Sequence, residues 1–288
     1  MVTRLSGFVV VPGYACNFFC EHCVAGGRRE RGGLSQKEMR LVTDAIARYK
    51  VRSIFFTGGE PSLYIRKINR ILGGVDQARR LNVTVTTNGW FATTPKRTVD
   101  KLMSFSKLDS VQLSYDKFHK KFLPEGNVLN LFEACKKLKK RFSVVMSVQS
   151  PLDLQLVGPL KKIGKFTIGI QHVLPLGAAK TNGLGYKRQS FDKQVLFERC
   201  PVRGKIAYMP GYGFSACCIA PEIAGRGKPY FYPTPEKLLE SRFYNLVSRH
   251  TFKEIGKKLN ISEADISGEN SSPCMVCAEM FAKAGRLK

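Results

Sequence analysis

The 288-residue sequence has no run of eighteen consecutive apolar residues, so nothing in it reads as a bilayer-spanning helix. Internal repeats and low-complexity tracts are also missing, which argues against solenoids and wholesale disorder. Acidic residues are scarce. Twenty-two Asp plus Glu stand against forty-seven Lys plus Arg, a formal charge of +25 spread along the chain rather than packed into one tail. That balance favours an acidic partner such as nucleic acid, an acidic peptide or a phosphorylated small molecule, and it equally fits a solvated, self-repelling surface. The apolar stretch Phe8 to Val11 is cut off by Pro12-Gly13 and is too short for a signal h-region. No separate peptide-recognition module precedes residue 8.

What is present is a conventional core, with 43% hydrophobic and 24% charged residues. The length suits one large domain plus an appendage. Nine cysteines fall at 16, 20, 23, 135, 200, 217, 218, 274 and 277. An odd count in tight groups points to metal in a reducing compartment rather than to disulfides, so a cytoplasmic protein is expected.

Short β-branched runs alternate with amphipathic segments. The runs are Phe8 to Val11, Ser53 to Thr57, Val83 to Thr87, Val111 to Ser114, Ser143 to Val148 and Phe166 to Val173. Between them, Ser35 and Glu38 form a capping box ahead of Met39, Val42, Ile46 and Tyr49 at helical spacing, and Leu129, Phe132 and Cys135 share a second helical face. Six such units predict an α/β fold, a partial (β/α)6 TIM-like barrel with its chemistry at the C-terminal strand ends. Leu174 to Gln194 reads as a connector or lid. Beyond it, Lys205 to Tyr208 and Gly213 to Cys217 predict a hairpin, followed by helices over Pro235 to His250 and Phe252 to Leu259. Two domains are expected, 1–195 for the barrel and 196–288 for a small auxiliary unit of β-hairpin plus helices.

Cys16, Cys20 and Cys23 follow directly on the first strand. A closed zinc or iron-sulfur site takes four protein ligands, whereas three leave a metal position open for substrate or cofactor. A zinc knuckle borrowing His22 as fourth ligand is the competing reading. Further along, Gly58-Gly59-Glu60-Pro61 ends the second strand, where the Gly pair permits close backbone approach and Glu60 can accept hydrogen bonds from an ammonium group. Thr87-Asn88-Gly89 closes the third strand and Ser114-Tyr115-Asp116 the fourth; both offer polar groups able to bond ribose hydroxyls or a carboxylate, and both also suit plain turns.

Three cysteines with gaps of three and two, followed in order by these strand-end motifs, resemble the signature of the radical S-adenosylmethionine enzymes over about the first 195 residues. The resemblance implies that Cys16, Cys20 and Cys23 bind three irons of a [4Fe-4S] cluster whose fourth iron is chelated by S-adenosylmethionine. His22 then takes the usually aromatic position near the adenine, and Gly58, Gly59, Glu60, Pro61, Thr87, Asn88, Ser114 and Asp116 line the cofactor. Pro175 to Ala178 is similar to a turn near the adenine in relatives.

Cys200, Gly213, Cys218 and the Cys274-x-x-Cys277 pair resemble the shortened auxiliary-cluster domain called Twitch, a relative of SPASM. That implies a second [4Fe-4S] cluster on Cys200, Cys218, Cys274 and Cys277; a four-cysteine zinc ribbon is the alternative. Cys135 reads as a core thiol. Cys217 is read as facing the opposite side of a strand from Cys218, with ligand exchange or hydrogen-atom donation as other roles. His119 and His172 lie near strand ends and read as structural or cavity-facing.

The implied activity is reductive cleavage of S-adenosylmethionine to a 5'-deoxyadenosyl radical, with the electron from a low-potential donor such as flavodoxin or ferredoxin, followed by hydrogen abstraction. The expected substrate is a ribosomally made peptide or protein side chain, undergoing oxidation, crosslinking or epimerisation. The alternative is a small aminocyclitol, sugar or nucleotide-derived metabolite, including an acidic one. A basic zinc protein that binds nucleic acid is the remote alternative, disfavoured because the aromatic residues fall in strand and helix cores.

Overall fold

The computed structural model describes residues 5–75, 81–188, 190–221, 230–267 and 271–286. Six parallel strands appear where the β-branched runs predict them: β1 (Gly7–Val10), β2 (Ser53–Phe56), β3 (Asn82–Thr87), β4 (Ser110–Ser114), β5 (Arg141–Val148) and β6 (Thr167–His172). They pair in sequence order, and helices cross between them, giving the partial (β/α)6 barrel. Helix α1 (Gln36–Arg48) starts at Ser35 with the expected capping box, and its buried face is Met39, Val42, Ala45 and Ile46. Helices α2 (Ile65–Gly73) and α3 (Pro95–Met103) follow, the latter capped by Thr94 with Pro95 in its first turn. The short α4 (Lys117–Lys120) is capped by Asp116.

Helix α5 (Glu125–Lys137) corrects one detail of the sequence reading. Its buried face runs through Val128, Leu131, Ala134 and Cys135, while Leu129 is exposed. Cys135 is fully buried as expected, and burial pushes its thiol up to about 12. After α6 (Val157–Ile163) and β6, the Gly- and Lys-rich connector contains one helical turn, α7 (Ala178–Thr181).

The hairpin β7 (Lys205–Met209) and β8 (Gly213–Ser215) does not stand apart. β7 pairs in parallel with β1, Gly7 opposite Lys205 and Val9 opposite Ala207, so the sheet has eight strands in the order β6-β5-β4-β3-β2-β1-β7-β8. Sequence periodicity finds strands but not partners, and the open edge of β1 is satisfied by the hairpin's backbone groups. Glu38 of α1 fastens the turn, accepting from the Gly211 N–H at 3.0 Å and the Tyr208 hydroxyl at 3.3 Å. The chain ends in helices Pro235–Glu240, Arg242–Arg249, Phe252–Leu259 and Pro273–Arg286. Among the described residues no helix is long and apolar enough to cross a membrane.

On β3 to β5 the buried residues Val83, Val85, Val111, Leu113 and Val144 alternate with Thr84, Thr86, Gln112, Ser114 and Ser143. Val85 and Val111 line one apolar space with Leu102 of α3, so the buried set faces the helices and the polar set faces inward. Leu113, wholly buried, is therefore a sheet-to-helix contact. Leu113→Ala should cost about 2–5 kcal/mol, read as a lowered urea midpoint; an unchanged midpoint contradicts this packing.

Candidate active site

The loop after β1 carries Cys16, Cys20 and Cys23 over the C-terminal edge of the sheet. Cys20 is buried and the other two half-buried, all as free thiols. Cys16 Sγ accepts from the Phe18 N–H at 3.5 Å and from the Asn88 side-chain amide at 3.6 Å. Cys23 N–H closes a turn onto the Cys20 carbonyl at 3.1 Å. Three thiols on one short loop, with N–H donors aimed at a sulfur, fit a cluster held by three thiolates.

The Gly58-Gly59-Glu60-Pro61 turn packs on this loop. Gly59 N–H donates to the Gly13 carbonyl at 3.0 Å and Glu60 N–H to the Ala15 carbonyl at 2.8 Å. A Cβ on Gly59 would meet the Tyr14 carbonyl oxygen at 2.5 Å and the Ala15 oxygen closer still, so the glycine is required by backbone approach to the cysteine loop. Gly58 has φ +127, and buried Pro61 opens a single 3-10 turn.

Glu60 is 1% exposed. Its carboxylate accepts from Ser62 N–H at 3.0 Å, Thr87 Oγ1 at 2.7 Å and Asn88 N–H at 2.8 Å, and the Ser62 side chain adds a fourth bond. Burial pushes its pKa up while these bonds pull it down, and burial wins. Asn88 continues the chain of contacts to Cys16 and, at 3.0 Å, to Asn17. Ser114 ends β4 half-buried on the inward face.

Asp116 is fully buried and committed within the fold. It accepts from Phe118 N–H, His119 N–H and His119 Nδ1 at 3.0, 3.0 and 2.9 Å, and from Ser147 N–H at 3.2 Å. His22 stacks on Phe118 with ring centroids 4.3 Å apart and points Nε2 at Asp116, 3.6 Å away. Burial lowers its pKa to about 4 against the pull of Asp116, so the ring is neutral, and its buried Nδ1 has no hydrogen-bond partner among the described residues. Among the described residues the tight group able to take a metal is His22, Asp116 and His119, so His22 is not gathered with the cysteines as a zinc knuckle requires. His172 stacks on Tyr186 at 3.8 Å and lies on the opposite face of β6 from inward Gln171.

The turn after β6 clamps the cysteine loop. Gly177 has φ +57, Ala178 N–H donates to the Cys23 carbonyl at 2.9 Å, and the Asn182 amide donates to the Glu21 carbonyl at 2.9 Å. Pro175 to Ala178 reads from the sequence as a turn near an adenine; its contact with the cysteine loop comes from the structure. Trp90, whose Nε1 donates to Ser62 Oγ at 2.9 Å, and Tyr64, whose hydroxyl accepts from Ala15 N–H at 2.9 Å, carried no motif to be found by. The inward face between these strand ends is polar: Thr86 bonds Gln112 at 3.1 Å and Gln171 bonds Ser147 at 3.0 Å. Bulky branched residues fill a closed TIM barrel, whereas hydroxyls and amides stand at these inward positions.

The second cysteine group lies at the other end of the sheet. Cys200 precedes β7 and the Cys217-Cys218 pair follows β8, both at the N-terminal edge of β1 and β7. Cys274 and Cys277 sit one turn apart in the first turns of Pro273–Arg286. β8 ends at Ser215, so strand alternation does not separate Cys217 from Cys218; Cys217 N–H instead donates to Ser215 Oγ at 3.0 Å. Burial pushes the Cys217 thiol well up, reinforced by Cys218, Cys277 and Cys274, so Cys217 belongs to the group. Burial and then Cys218 and Cys200 push Cys274 up to about 12. Burial and then Cys200 raise Cys218, although that residue is exposed overall.

The three-thiol loop, its glycine turn and the inward polar face lie together at the C-terminal strand ends of a partial α/β barrel. A family model described as the radical SAM superfamily matches residues 10–155, just over half of the chain. The chain belongs to that superfamily, which implies a [4Fe-4S] cluster and S-adenosylmethionine. It is 24% identical to YydG of Bacillus subtilis (strain 168), named for peptide biosynthesis, over 94% of this chain and 91% of that one. It is 28% identical to a protein of Saccharolobus solfataricus (strain ATCC 35092 / DSM 1617 / JCM 11322 / P2) named as a GTP 3',8-cyclase, over 51% of this chain and 44% of the relative. In fold it is similar to native anSMEcpe with bound AdoMet and Cp18Cys peptide, at TM-score 0.59, 16% identity and coverage of 98% and 99%. It is also similar to Streptococcus suis SuiB bound to precursor peptide SuiA, at TM-score 0.50, 13% identity and coverage of 86% and 67%.

Gly59→Ala should retain less iron than wild type after the same anaerobic reconstitution, while Gly73→Ala, whose Cβ meets nothing within 4 Å, should match wild type. Equal iron in both variants contradicts the role of Gly59. For the second group, raised thiol pKa values mean that metal capture displaces protons. Ferrous-ion affinity should therefore climb from about pH 6.5 to about pH 8.5; a flat profile in calorimetric titration contradicts it.

Proposed function

We propose that this chain is a peptide-modifying radical SAM enzyme with an auxiliary four-cysteine cluster site. The observation that carries the reading is end-to-end likeness to a protein named for peptide biosynthesis, 94% of one chain against 91% of the other. The likeness to the GTP 3',8-cyclase covers only 51% of this chain and supports no substrate. Residues 1–195 form the radical SAM core, and residues 196–288 carry a Twitch/SPASM-like unit whose hairpin shares the core's sheet. The substrate is a ribosomal peptide or protein side chain, altered by oxidation, crosslinking or epimerisation. A low-potential flavodoxin or ferredoxin supplies the electron. Nine free thiols suit a reducing cytoplasm.

When bound, the cluster and S-adenosylmethionine supply a carbon-centred radical that takes a hydrogen atom from the substrate. Cys16, Cys20 and Cys23 hold the iron. Asn88 and the Phe18 N–H steady the Cys16 sulfur. Glu60 is the acceptor assigned to the methionine ammonium. His22 offers its unpartnered Nδ1 beside the adenine, held in place by Phe118 and Asp116. Inward Gln112, Ser114 and Gln171 offer neutral donors and acceptors suited to peptide groups. Cys200, Cys218, Cys274 and Cys277 hold the second cluster.

Anaerobically reconstituted protein should hold about eight irons. Replacing Cys16, Cys20 and Cys23 by Ala should abolish 5'-deoxyadenosine formation, and replacing Cys200 or Cys277 should remove about half the iron. Colourless, zinc-loaded protein, or unchanged iron in Cys277→Ala, contradicts the proposal.

A further inference from the structure

The two edges of the sheet differ. The outer side of β8 is closed by Tyr232, which exchanges N–H to carbonyl bonds with Phe214 at 2.9 Å each. β6 ends the sheet on the other side and, among the described residues, pairs with β5 alone. Val148 stands opposite His172, and its carbonyl accepts from the Val173 N–H at 2.9 Å. Bonding in a parallel ladder alternates along each strand, so Gly169 and Gln171 face β5 while Ile168, Ile170 and His172 turn their N–H and C=O groups outward. No hydrogen bond reaches those outward groups among the described residues.

Proteins blunt an open edge with proline, lysine or a bulge. Thr167–His172 has none of these; its register with β5 is unbroken, and Ile170 is 53% exposed. Positive charge stands at both ends instead. Lys165 lies two residues before β6, and Lys187 follows Tyr186, which stacks on His172 and donates its N–H to the Val173 carbonyl at 2.9 Å. Both lysines are exposed, and neither has a carboxylate partner among the described residues, whereas Arg188 is paired with Asp192. From position 154 to 191 the chain holds Lys161, Lys162, Lys165, Lys180, Lys187 and Arg188, and no Asp or Glu.

We propose that the β6 edge takes up the substrate peptide by strand addition, and that the segment it binds is extended and acidic. This deepens the peptide reading above and rests on it. Backbone groups of the peptide answer those of Ile168, Ile170 and His172, and its carboxylates meet Lys165 and Lys187. Nucleic acid has no backbone N–H groups to offer this edge. Strand addition also carries the alternation of the sheet into the peptide, so residues opposite Gly169 and Gln171 point toward the inward polar face that Gln171 shares with Ser147. The C-terminal end of β6 leads to the turn whose Ala178 N–H holds the Cys23 carbonyl. A backbone bound at the edge thus presents side chains to the barrel interior beside the cysteine loop.

The test is fluorescence anisotropy on full-length, reconstituted protein with a labelled peptide alternating glutamate and threonine, and its lysine-threonine counterpart as control. Wild type should bind the acidic peptide and not the basic one. Ile170→Pro removes one outward N–H and spares the β5 ladder, so it should weaken binding about tenfold at unchanged iron content and urea midpoint. Gly169→Pro, whose lost N–H faces β5, should lower that midpoint. Lys165→Gln combined with Lys187→Gln leaves the backbone alone; it should weaken binding and flatten its salt dependence. Equal binding by wild type and these variants, or none by a wild type that still forms 5'-deoxyadenosine, overturns this inference and leaves the proposed function standing. Dimers that Ile170→Pro abolishes assign the edge to a second copy of the chain and overturn it too. Cluster-loaded wild type that forms no 5'-deoxyadenosine removes the proposed function, and this inference with it.

Discussion

Two backbone hydrogen bonds bear on everything the site does: Gly59 N–H to Gly13 and Glu60 N–H to Ala15. They press the turn after β2 against the loop that carries three thiols, and they form only because positions 58 and 59 have no side chains. That approach buries Glu60, whose carboxylate then gathers Thr87 and Asn88 from the end of β3. Asn88 in turn reaches Cys16. A buried carboxylate is costly unless hydrogen-bonded, and here four donors offset that cost while locking β2, β3 and the cysteine loop together. From the other side, Ala178 and Asn182 hold the same loop at Cys23 and Glu21. The thiols are thus fixed by backbone on two flanks before any metal arrives.

The barrel separates two sulfur sites by the length of its own strands. Cys16, Cys20 and Cys23 lie beyond the C-terminal end of β1, and Cys200 and Cys218 lie at the opposite end of the neighbouring hairpin. Five residues of β7 span about 16 Å at 3.3 Å each. Between the two ends the inner wall is lined by Thr86, Gln112, Ser147 and Gln171, paired with one another rather than packed solid.

Much of this was legible in the sequence because it is local. Strand runs are set by β-branched periodicity, the start of α1 by Ser35 and Glu38, and the cysteine loop by a spacing of three and two. Contacts between distant segments were not legible. Nothing local says that Lys205 pairs across to Gly7, so the hairpin's place in the main sheet had to come from the structure. The Cys135 helix was found, but its buried face was misplaced: Leu129 is turned about 100° from Val128 and about 160° from Leu131, off the arc that the fold buries. The end of β8 at Ser215 undid the strand argument for Cys217. Glu60 and Asp116 were singled out as ligand contacts, whereas most of their acceptor positions are used within the protein. Their immediate partners required coordinates.

The central claim is that the three thiols leave one iron open to S-adenosylmethionine. Electron-nuclear double resonance on the reduced, reconstituted protein, with oxygen-17 in the carboxylate of S-adenosylmethionine, tests it directly. The account predicts a hyperfine coupling between that oxygen and the cluster bound by Cys16, Cys20 and Cys23. An absent coupling, together with nitrogen coupling from a histidine ligand, would contradict it.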